Sequence, residues 1–307
     1  MLKRTACLVF VLLIISPVVL AQAQVQVPVQ VLVGDVKETR RTDGFFNKLE
    51  VQLKVMGEIV PDVRGVRVSL ERAIDSTGKN LIDEKKMSGR GSGFDDVSAS
   101  DSENFKIDLE MKNAARRATV VTEIAGVLEL FVPGRDPGST VTVSDFNRQT
   151  GKPIVNASLR AATVDVVVWN KQQYEGQKKA EEEKIKKQIE EKKKSGTAEE
   201  QADIAEALAS GLMKVFGGLF NAMTDMSENG IALQLTDPQK RVINVEFTDE
   251  SGKPISSQGR TTMGDDPRTM IFDFEQKLPE NAKLKVYLLT TGSVVKAPFK
   301  VTNVPLP

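Results

Sequence analysis

The chain has 307 residues, in which 42 basic side chains balance 42 acidic ones, and it contains no histidine and a single cysteine. Balanced charge gives no basic excess to hold nucleic acid or an anionic membrane. The absence of histidine excludes a Ser-His-Asp triad and imidazole metal ligands. A single cysteine excludes an intrachain disulfide and a cysteine zinc site. We therefore predict a protein that is not an enzyme and that uses no cofactor.

The first 23 residues have the pattern of a secretory signal peptide. Lys3 and Arg4 precede an apolar run over residues 6–20, and Ala21-Gln22-Ala23 provides a small-x-small cleavage site. The run is too short for a comfortable membrane span. We expect cleavage near Ala23, export to the periplasm or the exterior, and a mature chain that lacks Cys7.

Apolar residues alternate with polar ones through residues 24–170. Successive side chains of a strand point to opposite faces, so this period of two predicts strands with one buried face and one wet face. The run Val127–Val132 is apolar on both faces and predicts a central strand that is covered on both sides. We interpret residues 24–170 as an N-terminal β-sandwich domain. The alternating residues are Val25, Val27, Val29, Val31 and Val33; Leu49, Val51, Leu53 and Val55; Val66, Val68 and Leu70; Phe105, Ile107, Leu109 and Met111; and Val164, Val166 and Val168.

The same alternation returns over residues 230–307. We interpret this stretch as a C-terminal β-sandwich domain, so the expected fold class is mainly β, with two antiparallel sandwich regions joined by a helical segment. The alternating residues are Ile231, Leu233 and Leu235; Ile243, Val245 and Phe247; Met270, Phe272 and Phe274; Leu284, Val286 and Leu288; and Ala297, Phe299 and Val301.

A turn sequence links the two regions. Residues 146–154 (FNRQTGKPI) resemble residues 247–255 (FTDESGKPI), and residues 75–81 (DSTGKNL) are a looser relative. The glycine suits a final turn position with positive φ. Pro153 and Pro254 lack a backbone donor, so we expect each at a strand start or on a sheet edge. This pattern resembles the hairpins of immunoglobulin-like β-sandwich modules in uncharacterised secreted bacterial proteins. The resemblance implies a fold and no activity.

Two helical stretches interrupt the strand pattern. Residues 171–196 contain strong helix formers with Glu–Lys pairs at i, i+4 spacing, which predicts a solvated helical linker or a charged docking arm. Residues 197–229 predict an amphipathic helix that begins with a capping box at Thr197 and Glu200. Its apolar face is the predicted interaction face, formed by Ile204, Leu208, Leu212, Val215, Phe216, Leu219 and Met223.

An apolar helix face beside a solvated segment has to be covered by something. Three coverings are open: one of the sandwiches, another protein or a second copy of the chain, or a membrane surface. Lys214 is the one cation of the polar face, which disfavours the membrane. The partner expected through this helix is therefore another protein or the chain itself.

An acidic loop is the remaining candidate for chemistry. Asp95, Asp96, Asp101 and Glu103 follow the glycine-rich residues 89–93, and oxygen-rich loops can hold calcium. The spacing matches no calcium-loop motif, so a solvated loop is the simpler interpretation. A calcium-dependent binder, or a carboxylate-dependent enzyme that uses residues 95–103, is the alternative function.

Aromatic residues offer one further interpretation. Trp169 ends an alternating run and Tyr174 follows closely, so together they could form a platform for a sugar ring. Burial of Trp169 at the end of a sandwich core is the competing interpretation.

The leading prediction is an exported, non-catalytic binding or structural protein of the bacterial envelope or exterior. It would act through protein–protein contacts or self-association. A peripheral membrane protein held by the helix over residues 204–223 is a further alternative.

Overall fold

The computed structural model describes residues 29–42, 46–84, 93–98, 105–180, 183, 187, 226–264 and 266–307. These residues are mainly β, as the alternating pattern predicts, and form four antiparallel sheets. The predicted alternating runs that lie among them fall on strands or directly beside them. The strands are β1 (Gln30–Thr39), β2 (Lys48–Met56), β3 (Gly65–Asp75), β4 (Asp95–Asp96), β5 (Lys106–Met111), β6 (Val120–Phe131), β7 (Thr140–Val143), β8 (Asp165–Asn170), β9 (Ile231–Thr236), β10 (Val242–Thr248), β11 (Pro254–Ile255), β12 (Gly259–Met263), β13 (Arg268–Asp273), β14 (Lys283–Leu288) and β15 (Val294–Pro305).

Each sheet has a simple strand order. Sheet A is β1-β2-β5, sheet B is β15-β6-β3-β4, sheet C is β11-β10-β14-β7 and sheet D is β12-β13-β9-β8. Helix α1 (Ala157–Ala161) lies between β7 and β8, and a second helix, α2, covers residues 171–180 directly after β8. Short 3₁₀ turns cover Val60–Asp62, Pro133–Arg135, Pro137–Ser139, Phe146–Arg148 and Thr291–Ser293.

The buried apolar side chains form two main cores. Sheets A and B share the first core, to which β2 contributes Leu49, Val51 and Leu53 and β6 contributes Leu128 and Leu130. Each of these side chains is fully buried. Because every second residue of both strands enters this core, the alternation visible in the sequence gives each sheet one apolar face, and these two faces pack together.

Sheets C and D share the second core, which is centred on packed phenylalanines. The ring of Phe247 in β10 lies 5.6 Å from that of Phe146, 5.1 Å from that of Phe272 and 5.2 Å from that of Phe274, measured between centroids. The last two contacts are edge-to-face, the arrangement that aromatic quadrupoles favour.

The strand pairing divides the chain differently from the two regions expected at residues 24–170 and 230–307. Strand β15 pairs with β6 over its whole length, from Val294 opposite Phe131 to Pro305 opposite Val120, and so completes the first core. Strands β7 and β8 instead pair with β14 and β9 in the second core. Alternation identifies which side chains are buried, but it does not specify which strands become neighbours.

The chain therefore crosses between the two cores next to residues 132–139 and 289–294. The two crossings are bonded to each other, because Val132 N donates to Ser293 O at 2.7 Å. The hydroxyl of the fully buried Ser139 lies 2.7 Å from the carbonyl oxygens of Pro133 and Asp136. These bonds fix the path of the chain where the two cores meet.

The repeated turns have the predicted backbone. Gly151 and Gly252 take φ values of 78° and 90°, a conformation that glycine adopts without penalty. Pro254 begins the edge strand β11, and Pro153 forms an isolated bridge to Val167 of β8. Both prolines thus lie where a missing backbone donor is tolerated.

Among the described residues, no helix combines the length and the apolar character that crossing a bilayer requires.

Candidate functional site

A small apolar cluster joins the two cores, and we call it the junction. Phe131 at the end of β6 packs against Ile243 of β10 and Tyr287 of β14, and all three side chains are buried. The rings of Phe131 and Tyr287 lie 6.3 Å apart in an edge-to-face arrangement. Sheet C thus covers the outer face of β6 at Phe131 alone, because Glu129, two residues earlier on the same face, pairs with Arg67 and Lys296.

The two cores approach closely at Gly65, the first residue of β3. A Cβ atom at this position would lie 2.5 Å from Cγ2 of Ile243, closer than real carbon atoms approach. Glycine is therefore required here by the contact between the cores and not by its φ value.

A buried polar group accompanies the apolar junction. Nε of Arg64 lies 2.8 Å from Oε1 of Glu246, with side chains 15% and 11% exposed. The N–H of Nε is not directed at this oxygen, so the contact is an ion pair without a hydrogen bond. The hydroxyl of Tyr287 donates to Oε2 of Glu246 at 2.6 Å. Burial, together with the Glu246 charge, raises the pKa of Tyr287 well above its usual value, so the hydroxyl keeps its proton.

Asn244 ties the cores together by a side-chain amide. It interrupts the apolar strand β10 at a register irregularity between Val242 and Asn244, and it is 3% exposed. Its Nδ2 donates to Val97 O at 3.2 Å, next to sheet B, and its Oδ1 accepts from Val245 N at 2.8 Å. A buried amide with both ends bonded in this way specifies one relative placement of the two cores.

A cleft of about 690 Å³ opens beside the junction, and we call it the junction cleft. Residues 244–247 of β10 lie along it, residues 254–257 and β12 form one side, and Asp96 and Ser98 form the other. Three of the four sheets thus contribute to it. The lining residues are Asp96, Ser98, Asn244, Val245, Glu246, Phe247, Pro254, Ile255, Ser256, Ser257, Arg260 and Phe272.

The cleft exposes an open edge of β10. Strand β11 pairs only with Phe247 and Thr248, after which the chain leaves sheet C for β12 in sheet D. Asp249 N bonds to Lys253 O on the β11 side, and hydrogen-bonding groups alternate along a strand, so the backbone of Val245 faces the same side. Asn244 satisfies the N–H of Val245, and no strand among the described residues pairs with this side of Val245, so its carbonyl faces the cleft.

Charges of both signs surround this edge. Arg260 of β12 pairs with Asp96 of β4 across the cleft, with side chains 28% and 44% exposed. The Arg260 guanidinium also lies over the ring of Phe272, 5.6 Å from its centroid. Glu246 supplies a second acid, and three serines supply hydroxyl groups. The cleft can therefore bind a ligand that offers both donors and acceptors, which suits a polypeptide backbone.

The candidate metal ligands of the acidic loop are not brought together among the described residues. Asp95 and Asp96 form β4, opposite Val66 and Gly65, and Asp96 faces Arg260. Asp101 and Glu103 lie outside the described residues. In the part of the chain that the structure describes, no group of three or more acidic, histidine or cysteine side chains could hold a metal ion.

The predicted interaction face lies outside the described residues. This concerns the whole set of Ile204, Leu208, Leu212, Val215, Phe216, Leu219 and Met223. Of the linker over 171–196, residues 171–180 are helical.

The sequence interpretation missed Arg64, Glu246 and Arg260. Asn244 is the residue from which this site could have been predicted. It is a polar residue within an apolar strand, and a buried polar side chain needs a hydrogen-bond partner. The partner itself, Val97 O, was not predictable, since it is 147 positions away along the chain.

Comparison with known proteins gives no match to a family model, to a curated protein or to a solved structure.

Proposed function

We propose that this is an exported, non-catalytic binding protein of the bacterial envelope or exterior, and that it acts through protein–protein contacts at the junction cleft. Its scaffold would be two immunoglobulin-like sandwiches, one from sheets A and B and one from sheets C and D. Two antiparallel sheets around each core support this fold, and the signal-like residues 1–23 support export. The junction cleft is the observation that carries the binding function.

The open edge of β10 favours an extended polypeptide as the ligand. A strand edge offers main-chain hydrogen bonds to any extended segment, while neighbouring pockets select its side chains. Here the carbonyl of Val245 is the main-chain acceptor, and the partly buried Ile255 provides apolar surface. The Asp96–Arg260 pair would favour partner segments with alternating charge.

The way the junction is built supports binding without large rearrangement. Gly65, Asn244 and the Arg64–Glu246 pair hold the cores in one placement, so the three sheets around the cleft keep their geometry. A preformed cleft reduces the entropy that binding would otherwise cost. The proposal therefore predicts that cleft residues can be changed without loss of the fold.

Selection of peptides tests the proposal. The mature chain would be used to select from a displayed library of random linear peptides, and the enriched peptides would be titrated by calorimetry. Arg260→Glu should weaken binding by about tenfold or more, because it places two acids opposite each other at the cleft. Arg117→Glu is the matched control, since Arg117 is an exposed arginine between β5 and β6.

Two results would contradict the proposal: no enriched peptide, or equal loss of affinity in the two variants. The exchange Asp96→Arg with Arg260→Glu separates folding from recognition. It restores an ion pair of reversed polarity, so stability should return while affinity for the original peptides should not.

A further inference from the structure

A second cleft lies away from the junction, between the end of β8, the start of β9 and the loops over residues 147–150 and 277–280, and it contains the one tryptophan of the chain. Val166 and Val168 of β8 point into the second core, so Trp169 points to the opposite face. The side chain of Trp169 therefore does not enter the second core. Trp169 is partly exposed and packs in a separate small cluster with Tyr174 of α2.

The neighbours of Trp169 hold its ring in place. Trp169 pairs across the sheet with Ala232, whose small, buried side chain leaves room for the indole. The ring of Tyr174 lies 6.5 Å from that of Trp169 at an angle of 40°. Met226, Ile271 and Met263 complete the cluster, and burial raises the pKa of Tyr174 above its usual value. Trp169 is thus a supported aromatic surface at the edge of a cleft of about 1210 Å³.

Three asparagine side chains of this cleft are oriented by the protein itself. Asn147 and Asn229 each donate from Nδ2 to a backbone carbonyl, that of Pro279 at 3.2 Å and that of Glu275 at 3.1 Å. Asn170 accepts from Gln173 N at 2.9 Å through its Oδ1. Among the described residues, the opposite atom of each amide has no protein partner. Two fixed acceptors and one fixed donor therefore remain for a ligand.

The charges around the cleft are nearly balanced. Lys171 pairs with Glu228 at 2.6 Å, and Arg148, Lys277 and Glu280 complete the charged lining. Such a mixture creates no strong field for a phosphate or a polyanion. It suits a neutral ligand whose hydroxyl groups both donate and accept hydrogen bonds.

We infer that this cleft binds an uncharged oligosaccharide, with the apolar face of one sugar ring on the indole of Trp169. The amides of Asn147, Asn170 and Asn229 bond to ring hydroxyls. This site is independent of the junction cleft and adds a second ligand class to the protein.

Because Trp169 is the only tryptophan, its fluorescence reports on this site alone. The mature chain would be titrated with soluble oligomers of glucose in α and β linkage and of N-acetylglucosamine. At least one should shift and quench the emission in a saturable way, and calorimetry should give the same affinity. Trp169→Ala should weaken binding by about tenfold or more, and Trp169→Phe should weaken it less, because a smaller ring remains.

Asn170→Ala and Phe46→Ala complete the test. Asn170 is exposed, so its loss should lower affinity without unfolding the chain; Phe46, an exposed aromatic remote in sequence from the cleft, should have no effect. The inference is overturned if no oligomer binds at millimolar concentration, or if Trp169→Ala binds as tightly as the unchanged chain. Arg260→Glu should retain saccharide binding, so the saccharide test does not depend on whether the junction cleft binds peptides.

Discussion

Removal of the Glu246 side chain should destabilise the junction more than the loss of an outer-face carboxylate. Glu246→Ala leaves the 15% exposed Arg64 without its counter-ion and the hydroxyl of Tyr287 without its acceptor. Breaking a buried pair from one side costs about 3–5 kcal/mol. Arg64 keeps its bonds to the carbonyls of Pro61 and Val63, so we expect the lower end, about 3 kcal/mol.

Urea unfolding of the mature chain measures this loss with two probes. Far-UV circular dichroism follows the strands of both cores, while Trp169 fluorescence follows sheet D. The two curves should coincide for the unchanged chain, because the junction couples the cores. In Glu246→Ala the urea midpoint should fall, and the curves from the two probes should no longer coincide.

Glu123→Ala is the matched control on the outer face of sheet B. Glu123 is 23% exposed and pairs with Arg72 at 3.4 Å and Lys300 at 3.1 Å, so its removal should cost less than about 1 kcal/mol. Equal losses in Glu246→Ala and Glu123→Ala would refute the claim that the buried charges hold the junction.

Three further changes test other parts of the structure. Asp75 is 1% exposed, and its burial by itself raises the pKa of its carboxyl group. The hydrogen bonds that the carboxylate accepts, the strongest from Ala115 N, outweigh burial and lower this pKa from 3.8 to about 2. Its contribution of about 2 kcal/mol is therefore complete above pH 4 and lost as the pH falls through 2; Asp75→Asn should remove this acid dependence in unfolding curves. Gly65→Ala should cost about 1–3 kcal/mol through the clash with Ile243, and a double-mutant cycle with Ile243→Ala should show strong non-additivity; additive values would contradict the contact. Asn244→Ala should cost about 1–3 kcal/mol and speed exchange of the Val245 amide, and unchanged exchange would show that the amide is bonded elsewhere.

Much of the secondary structure could be predicted from local pattern alone. The alternation in β2, β9 and β14 predicted these strands because each sends alternate side chains into a core. In β10 the register irregularity sends Val245 and Phe247 into the second core but Ile243 into the junction. The turn glycines, such as Gly252, were predictable because polar turns with positive φ have their own residue preferences.

The arrangement of the strands could not be predicted in this way. Strand β15 completes the first core although about 160 residues separate it from β6. Its alternation predicts a strand but does not indicate which strand it pairs with. The direction of Trp169 was missed for a related reason, since an aromatic at the end of an alternating run is compatible with either face. The junction cleft depends on pairs such as Asp96 and Arg260, which only the fold brings together.

Hydrogen exchange on the peptide-bound protein tests the central claim most directly. With a selected peptide at saturation, the amides of residues 244–247 and 255–260 should exchange more slowly than in the free chain, while those of β1 and β2 should not change. Protection confined to other strands, or no protection at β10, would contradict the assignment of the junction cleft as the protein-binding site.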